Sequence, residues 1–121
     1  MSLLFNSEGY FCEGEVERDW QFKMNFGRIL LTNQELSLFK KSMISLTEIE
    51  TIIDKFTDGF KIPLLKINKV TNTKIGKIYV VRIETTDDFL FSITMADNKS
   101  SGKKGSLELS ELINENILRN I

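Results

Sequence analysis

The chain has no histidine and only one cysteine, Cys12, among its 121 residues. Without an imidazole it can build neither a Ser-His-Asp nor a Cys-His nucleophile arrangement, and no histidine-ligated metal site. A single cysteine cannot form an internal disulfide, which favours a reducing, cytoplasmic compartment. Because Cys12 lies in an apolar stretch without an activating base, we expect a small buried side chain and not a nucleophile.

An excess of one charge and long apolar runs are also lacking. Sixteen basic residues against seventeen acidic ones give a formal net charge of -1, which supplies none of the positive field that nucleic-acid binding normally needs. No apolar run approaches the roughly 20 residues required to span a bilayer. We therefore expect no nucleic-acid partner and no membrane-spanning segment, although a peripheral membrane contact stays open. Any anion site must be a local patch.

Proline is nearly absent, with one residue, whereas phenylalanine occurs nine times and hydrophobic residues make up 41% of the chain. This composition predicts one globular domain over residues 1–121. The paired carboxylates Asp87 with Asp88 and Glu108 with Glu111 fall in a turn or on a predicted helix surface, where solvation is the ordinary explanation. We therefore expect no enzyme, no cofactor and no metal site.

Short extended runs separated by turn signals fill most of the sequence. Alternating apolar residues are clearest in the pair of runs that flanks Thr86-Asp87-Asp88, which predicts a hairpin. A two-residue turn at Asn33-Gln34 predicts another. The predicted strands cover residues 10–18, 26–32, 35–40, 60–65, 67–71, 77–85 and 89–95.

Two segments have helical periodicity. Ser45 and Glu48 form a capping-box pattern, which predicts a helix over residues 46–56 inside an inserted segment at about 43–59; the competing interpretation makes residues 43–49 a strand. The second helix is predicted over about 107–120 with Ser106 as its cap. Its apolar stripe should cover the open end of the sheet and consists of Leu109, Leu112, Ile113 and Ile117.

This order of elements, together with particular residues, resembles the GRAM-type branch of the pleckstrin-homology-like superfamily. The matching stretches are Tyr10-Phe11-Cys12-Glu13-Gly14, Gly27-Arg28-Ile29-Leu30-Leu31-Thr32-Asn33, Ile62-Pro63-Leu64 and the run from Val81 to Thr85. A related archaeal taxis-adaptor family has a similar Gly-basic-apolar-Thr pattern. The resemblance implies an α+β fold: a barrel of about seven antiparallel strands in two curved sheets, capped by a C-terminal helix.

The resemblance also implies a function, a non-enzymatic binding or scaffolding module. A protein partner that adds a strand to an exposed sheet edge, or lies in the groove beside the C-terminal helix, is the favoured ligand. The alternative is a peripheral domain that binds a phosphoinositide or another anionic lipid headgroup. For this alternative the resemblance places candidate basic residues around the first turns, namely Arg18, Lys23, Arg28, Lys40 and Lys41. Acidic neighbours in the same stretch favour a solvated surface there.

Two further segments are candidate binding sites. The stretch Gly102-Lys103-Lys104-Gly105-Ser106, with Lys99 before it, is a secondary anion loop, but it lacks the spacing of a phosphate-binding P-loop, and a flexible linker is favoured. Trp20, Phe22, Met24 and Phe26 alternate in the sequence. Burial in the core is favoured for them, and a protein-docking surface is the alternative. The candidate protein-binding residues are Trp20, Phe22, Ile52 and Phe56.

Overall fold

The computed structural model describes residues 3–40, 59–96 and 100–119. The predicted inserted helix at 46–56 lies outside these ranges, as do the candidate site residues Lys41, Ile52, Phe56 and Lys99.

Seven strands and two helices make up the described chain. In order they are β1 (Leu3–Glu13), α1 (Trp20–Lys23), β2 (Asn25–Thr32), β3 (Glu35–Lys40), β4 (Gly59–Pro63), β5 (Ile67–Ile75), β6 (Ile78–Thr85), β7 (Leu90–Thr94) and α2 (Lys103–Arg119), with a short 3₁₀ turn at Leu64–Lys66 between β4 and β5. In the part of the chain that the structure describes, neither helix is long and apolar enough to cross a bilayer.

The strands form one antiparallel sheet in the order β4-β3-β2-β1-β7-β6-β5. The first strand joins its two halves: β1 pairs with β2 from Leu3 to Phe11 but with β7 only from Tyr10 to Glu13. The prediction of seven antiparallel strands and a C-terminal helix is confirmed. The expectation of a barrel made of two sheets is not, because the described strands form a single sheet in which β4 and β5 remain separate edges.

One face of the sheet carries the main core and is covered by α2. The helix packs on β5, β6, β7 and the 3₁₀ turn, and its Leu109 and Ile113 are fully buried in this core. Leu112 and Ile117 are partly buried against the same cluster. The predicted apolar stripe of the C-terminal helix is therefore confirmed, but it covers one face of the sheet over β5, β6 and β7 and not an open end.

The opposite face carries a smaller apolar cluster that sequence alternation did not predict. The connection between β1 and β2 folds over this face and brings Val16 and Met24 onto Cys12 and Val80. Strands β6 and β7 are therefore covered on both faces, and Ser92 and Thr94 on the second face are also buried. This connection includes α1, so the alternation of Trp20, Phe22 and Met24 does not represent a strand.

The helix α2 begins earlier than predicted, at Lys103. Ser106 is not its cap but lies inside its first turns, where its hydroxyl donates a 3.0 Å hydrogen bond to the Tyr79 carbonyl. The Thr94 hydroxyl donates to the same carbonyl at 2.7 Å. The expectation of a flexible linker over residues 102–106 is therefore wrong, since these bonds hold the helix start against β6.

Candidate binding surfaces

The outer edge of β5 is the longer of the two sheet edges. This strand runs for nine residues without proline, whereas β4 has only five and ends at Pro63, which has no N–H to donate. Within the described ranges, no strand pairs with the outer side of β5. Because alternate residues of an edge strand direct their N–H and C=O groups outwards, β5 presents a row of backbone donors and acceptors.

The helix α2 packs on β5 next to this edge. The Asn72 side chain of β5 donates a 2.5 Å hydrogen bond to the Ser110 hydroxyl of α2, which fixes the distance between strand and helix. Leu107 lies one helical turn before Ser110 on the same side of α2, and 38% of its surface is exposed. The surface formed by β5 and α2 therefore combines a polar backbone edge with an accessible apolar side chain.

Near the start of α2, two lysines flank an aromatic ring. Lys74 lies opposite Tyr79 in the β5–β6 pair, and the Nζ atoms of Lys74 and Lys103 each lie 5.7 Å from the centre of the Tyr79 ring. Both ammonium groups are thus held by cation–π contacts. Lys104 lines a separate depression of about 350 Å³ together with Asn6 and Glu108. The side chains of Lys103 and Lys104 therefore lie on different surfaces, and the structure does not bring the residues of the predicted anion loop together in one site.

The basic residues proposed for a lipid site are likewise dispersed. The Lys23 ammonium lies 3.5 Å from Asp19, and Arg28 contacts Glu8 at 3.5 Å while donating to the Asn6 amide oxygen at 3.0 Å. Lys40 pairs with Gly27 and therefore faces the side of the sheet opposite to Arg28.

Arg18 lies apart from these residues. It lines a cavity of about 420 Å³ together with Val16, Glu17, Ile75 and Arg82. Arg82 was not predicted as a site residue from the sequence. The local sequence of β6 gives no signal for this site, because the approach of Arg18 to Arg82 depends on how the β1–α1 connection folds back over β6.

The aromatic residues of the β1–β2 connection are divided between packing and exposure. Trp20 packs edge-on against Tyr10 with ring centres 5.3 Å apart, and Phe26 lies 5.2 Å from the same ring. Phe22 is 91% exposed, because helical geometry directs it away from Trp20. Of the predicted protein-binding pair, Trp20 is therefore partly structural and only Phe22 is freely accessible.

Cys12 is buried, as predicted. Its burial raises the pKa of the thiol, and the positive charge of Lys23 offsets part of this effect. A protonated thiol is a poor nucleophile. Over residues 3–40, 59–96 and 100–119, the side chains include no group of three or more carboxylates or thiolates placed to hold a metal ion.

No protein-family model matches this chain, and no curated protein matches it at a significant level of sequence similarity.

Proposed function

We propose that the chain is a non-enzymatic binding module with a pleckstrin-homology-like fold, and that it captures an extended segment of a protein partner along β5. The fold assignment is supported by seven antiparallel strands followed by a C-terminal helix, the order of elements that the sequence resemblance implies. The observation that carries the binding mode is the nine-residue edge of β5, which has no strand neighbour in the described part of the chain.

Strand addition suits this edge for two reasons. The backbone of an incoming strand can complete the hydrogen bonds that the outer side of β5 leaves open, and this supplies affinity that is independent of sequence. Alternate side chains of the same strand would then face α2, where Leu107 gives an apolar contact. Specificity arises from that contact. Anionic-lipid binding at Lys23 and Arg28 has less support, since each side chain already has an acidic partner.

Selection of binders from a library of random peptides tests this function. We expect selected peptides to be extended, and their binding to shift the amide resonances of β5 and of the Leu107 side of α2. Leu107→Glu should weaken the binding of these peptides by roughly ten-fold or more, because it places a charge where the bound peptide covers an apolar side chain.

Two matched variants locate the site. Leu3→Glu introduces the same charge at an exposed leucine of β1 and should leave peptide affinity unchanged. Phe22→Glu tests the aromatic surface of α1. Loss of binding in Phe22→Glu, with wild-type affinity in Leu107→Glu, would place the protein-binding site on α1 and contradict the proposal. Thermal melts verify that each variant is folded.

A further inference from the structure

The cavity beside Arg82 lies on the face of the sheet opposite to α2. One of its walls is the connection between β1 and α1, and hydrogen bonds hold the start of this connection in place. Arg82 is opposite Ser92 in the β6–β7 pair. The buried Ser92 hydroxyl donates a 2.6 Å hydrogen bond to the carbonyl of Gly14, and the Gly14 amide donates to the Leu90 carbonyl at 2.6 Å. These bonds fix the start of the connection that carries Glu15 to Arg18 over β6.

The guanidinium of Arg82 has few ion-pair and hydrogen-bond partners for a side chain that is largely buried. Only 31% of the side chain is exposed, and in the described part of the chain its ion-pair partner is Glu15, with Nη1 4.0 Å from Oε1. Its Nε atom is buried and donates to no acceptor among the described residues. Arginine has five N–H donors in a planar fork, and a buried donor without a protein partner commonly indicates a bound ion or water.

We call this depression the Arg18/Arg82 cavity. Its lining suits a ligand that has an anionic group attached to a less polar part. Its volume of about 420 Å³ lies within the range of small-molecule sites. Arg18 and Arg82 supply positive charge, and Val16 and Ile75 supply apolar surface. Lys74 also lines the cavity, but its ammonium group contacts the Tyr79 ring.

The carboxylates around the cavity do not neutralise it. Glu17 lines the cavity and is exposed. The Glu15 side chain is 67% exposed, and its 4.0 Å contact with Arg82 is too long for a strong charge-assisted hydrogen bond, which measures about 2.7–2.9 Å. An entering oxyanion can therefore replace Glu15 as the partner of the guanidinium while Glu15 remains in water.

We propose that the Arg18/Arg82 cavity binds the phosphate group of a small phosphorylated molecule. The fork of Arg82 matches phosphate geometry with paired N–H donors, and Arg18 adds the second charge that a phosphate monoester requires. The apolar part of the cavity contacts the body of the ligand. The phosphate can belong to a soluble molecule or to a lipid headgroup, since the chemistry of recognition is the same. Lys74 and Ile75, at the end of β5, also line this cavity. Because the cavity lies on the face of the sheet opposite to α2, phosphate binding does not require a peptide on the β5 edge, and neither proposal depends on the other.

Titration of the isotope-labelled protein with soluble inositol 1,4,5-trisphosphate, followed by amide chemical shifts, tests this site. We expect the shifts to concentrate at residues 14–18, 74–76 and 82. Arg82→Gln and Arg18→Gln should each weaken binding roughly ten-fold, as expected for loss of a charge-assisted hydrogen bond. Arg82→Lys retains the charge but loses the fork, and should also bind more weakly than wild type.

Lys66→Gln is the matched control. It removes one positive charge from a surface lysine that pairs with Asp87 at 3.6 Å, away from the cavity-lining residues, and should leave the affinity unchanged. Vesicles with and without phosphatidylinositol bisphosphate distinguish the sources of phosphate. A soluble ligand that binds as tightly as the vesicles indicates a free molecule, whereas clearly tighter binding to the phosphorylated vesicles indicates a lipid headgroup.

Three results would overturn the proposal. The first is the absence of shifts around the cavity with either probe. The second is equal weakening in Lys66→Gln and Arg82→Gln, which would indicate only non-specific attraction. The third is loss of binding in Arg28→Gln with wild-type affinity in Arg82→Gln, which would place the phosphate site on β2. Because Arg18 is exposed, Arg18→Gln provides a readout even if substitution of the half-buried Arg82 destabilises the fold.

Discussion

Replacement of Leu109 by alanine tests how the C-terminal helix stabilises the sheet. Leu109 is fully buried in the main core, and α2 places it against β5, β6 and β7. Leucine-to-alanine changes at such positions cost about 2–5 kcal/mol, because they remove apolar contacts and leave a cavity. We expect the upper part of this range, since sheet strands on one side and helix backbone on the other restrict collapse of the site.

The corresponding change in melting temperature follows from the size of the domain. For 121 residues, an unfolding entropy of about 2.1 cal/mol/K per residue gives roughly 0.25 kcal/mol/K, so each kcal/mol lowers Tm by about 4 °C. For a cost in the upper part of the range, about 3.5–5 kcal/mol, Leu109→Ala should therefore lower Tm by roughly 14–20 °C in differential scanning calorimetry.

Leu107→Ala is the internal control for this measurement. It makes the same chemical change two residues away on the same helix, but Leu107 is 38% exposed. We expect its cost to be about 1 kcal/mol or less. Equal losses of stability in the two variants would show that burial of Leu109 in the main core does not set the cost of its removal, and would refute the reasoning.

Three further perturbations test local features. Gly102→Ala should destabilise the domain more than Gly76→Ala in thermal melts: both glycines have positive φ, but a Cβ at 102 would lie 2.5 Å from a backbone nitrogen, whereas open space surrounds position 76. Ser106→Ala should lower the free energy of unfolding in urea by about 1 kcal/mol, because the carbonyl of Tyr79 loses a hydrogen bond. Equal melting temperatures for the two glycine variants would contradict the close contact at Gly102. An unchanged free energy of unfolding for Ser106→Ala would contradict a stabilising role of the Ser106 hydrogen bond. Burial raises the pKa of Cys12, so the unfolded thiol ionises first as the pH rises. The free energy of unfolding should therefore decrease above about pH 8.5, and Cys12→Ala should remove that part of the decrease; an identical alkaline decrease in both proteins would exclude this role of the thiol.

The sequence predicts the hairpins best, because each combines alternation with a turn. The β2–β3 and β6–β7 hairpins were found near their observed bounds. The first half of β1 was missed, and Gly9 explains why: it faces inwards at the position where alternation requires an apolar side chain. A Cβ there would lie 2.6 Å from the Ile29 side chain, so the sequence pattern is interrupted although the strand continues.

The start of α2 was missed for a related reason. Gly102 and Gly105 in a lysine-rich stretch indicate flexibility, but a Cβ at these positions would contact Ala96 and Met95 at 2.5 Å and 3.1 Å. These glycines therefore permit close packing. The local sequence pattern does not show which elements approach each other this closely, and the same limit applies to the Arg18/Arg82 cavity.

Hydrogen exchange of the β5 amides, in the free domain and with a selected peptide bound, tests the central claim most directly. In the free domain, the alternate amides bonded to β6 should exchange slowly, and those directed outwards should exchange fast. Peptide binding should slow the outward-directed set while leaving β1 unchanged. Outward-directed amides that are already protected in the free domain, or that stay unprotected when the peptide is bound, would contradict strand addition at β5.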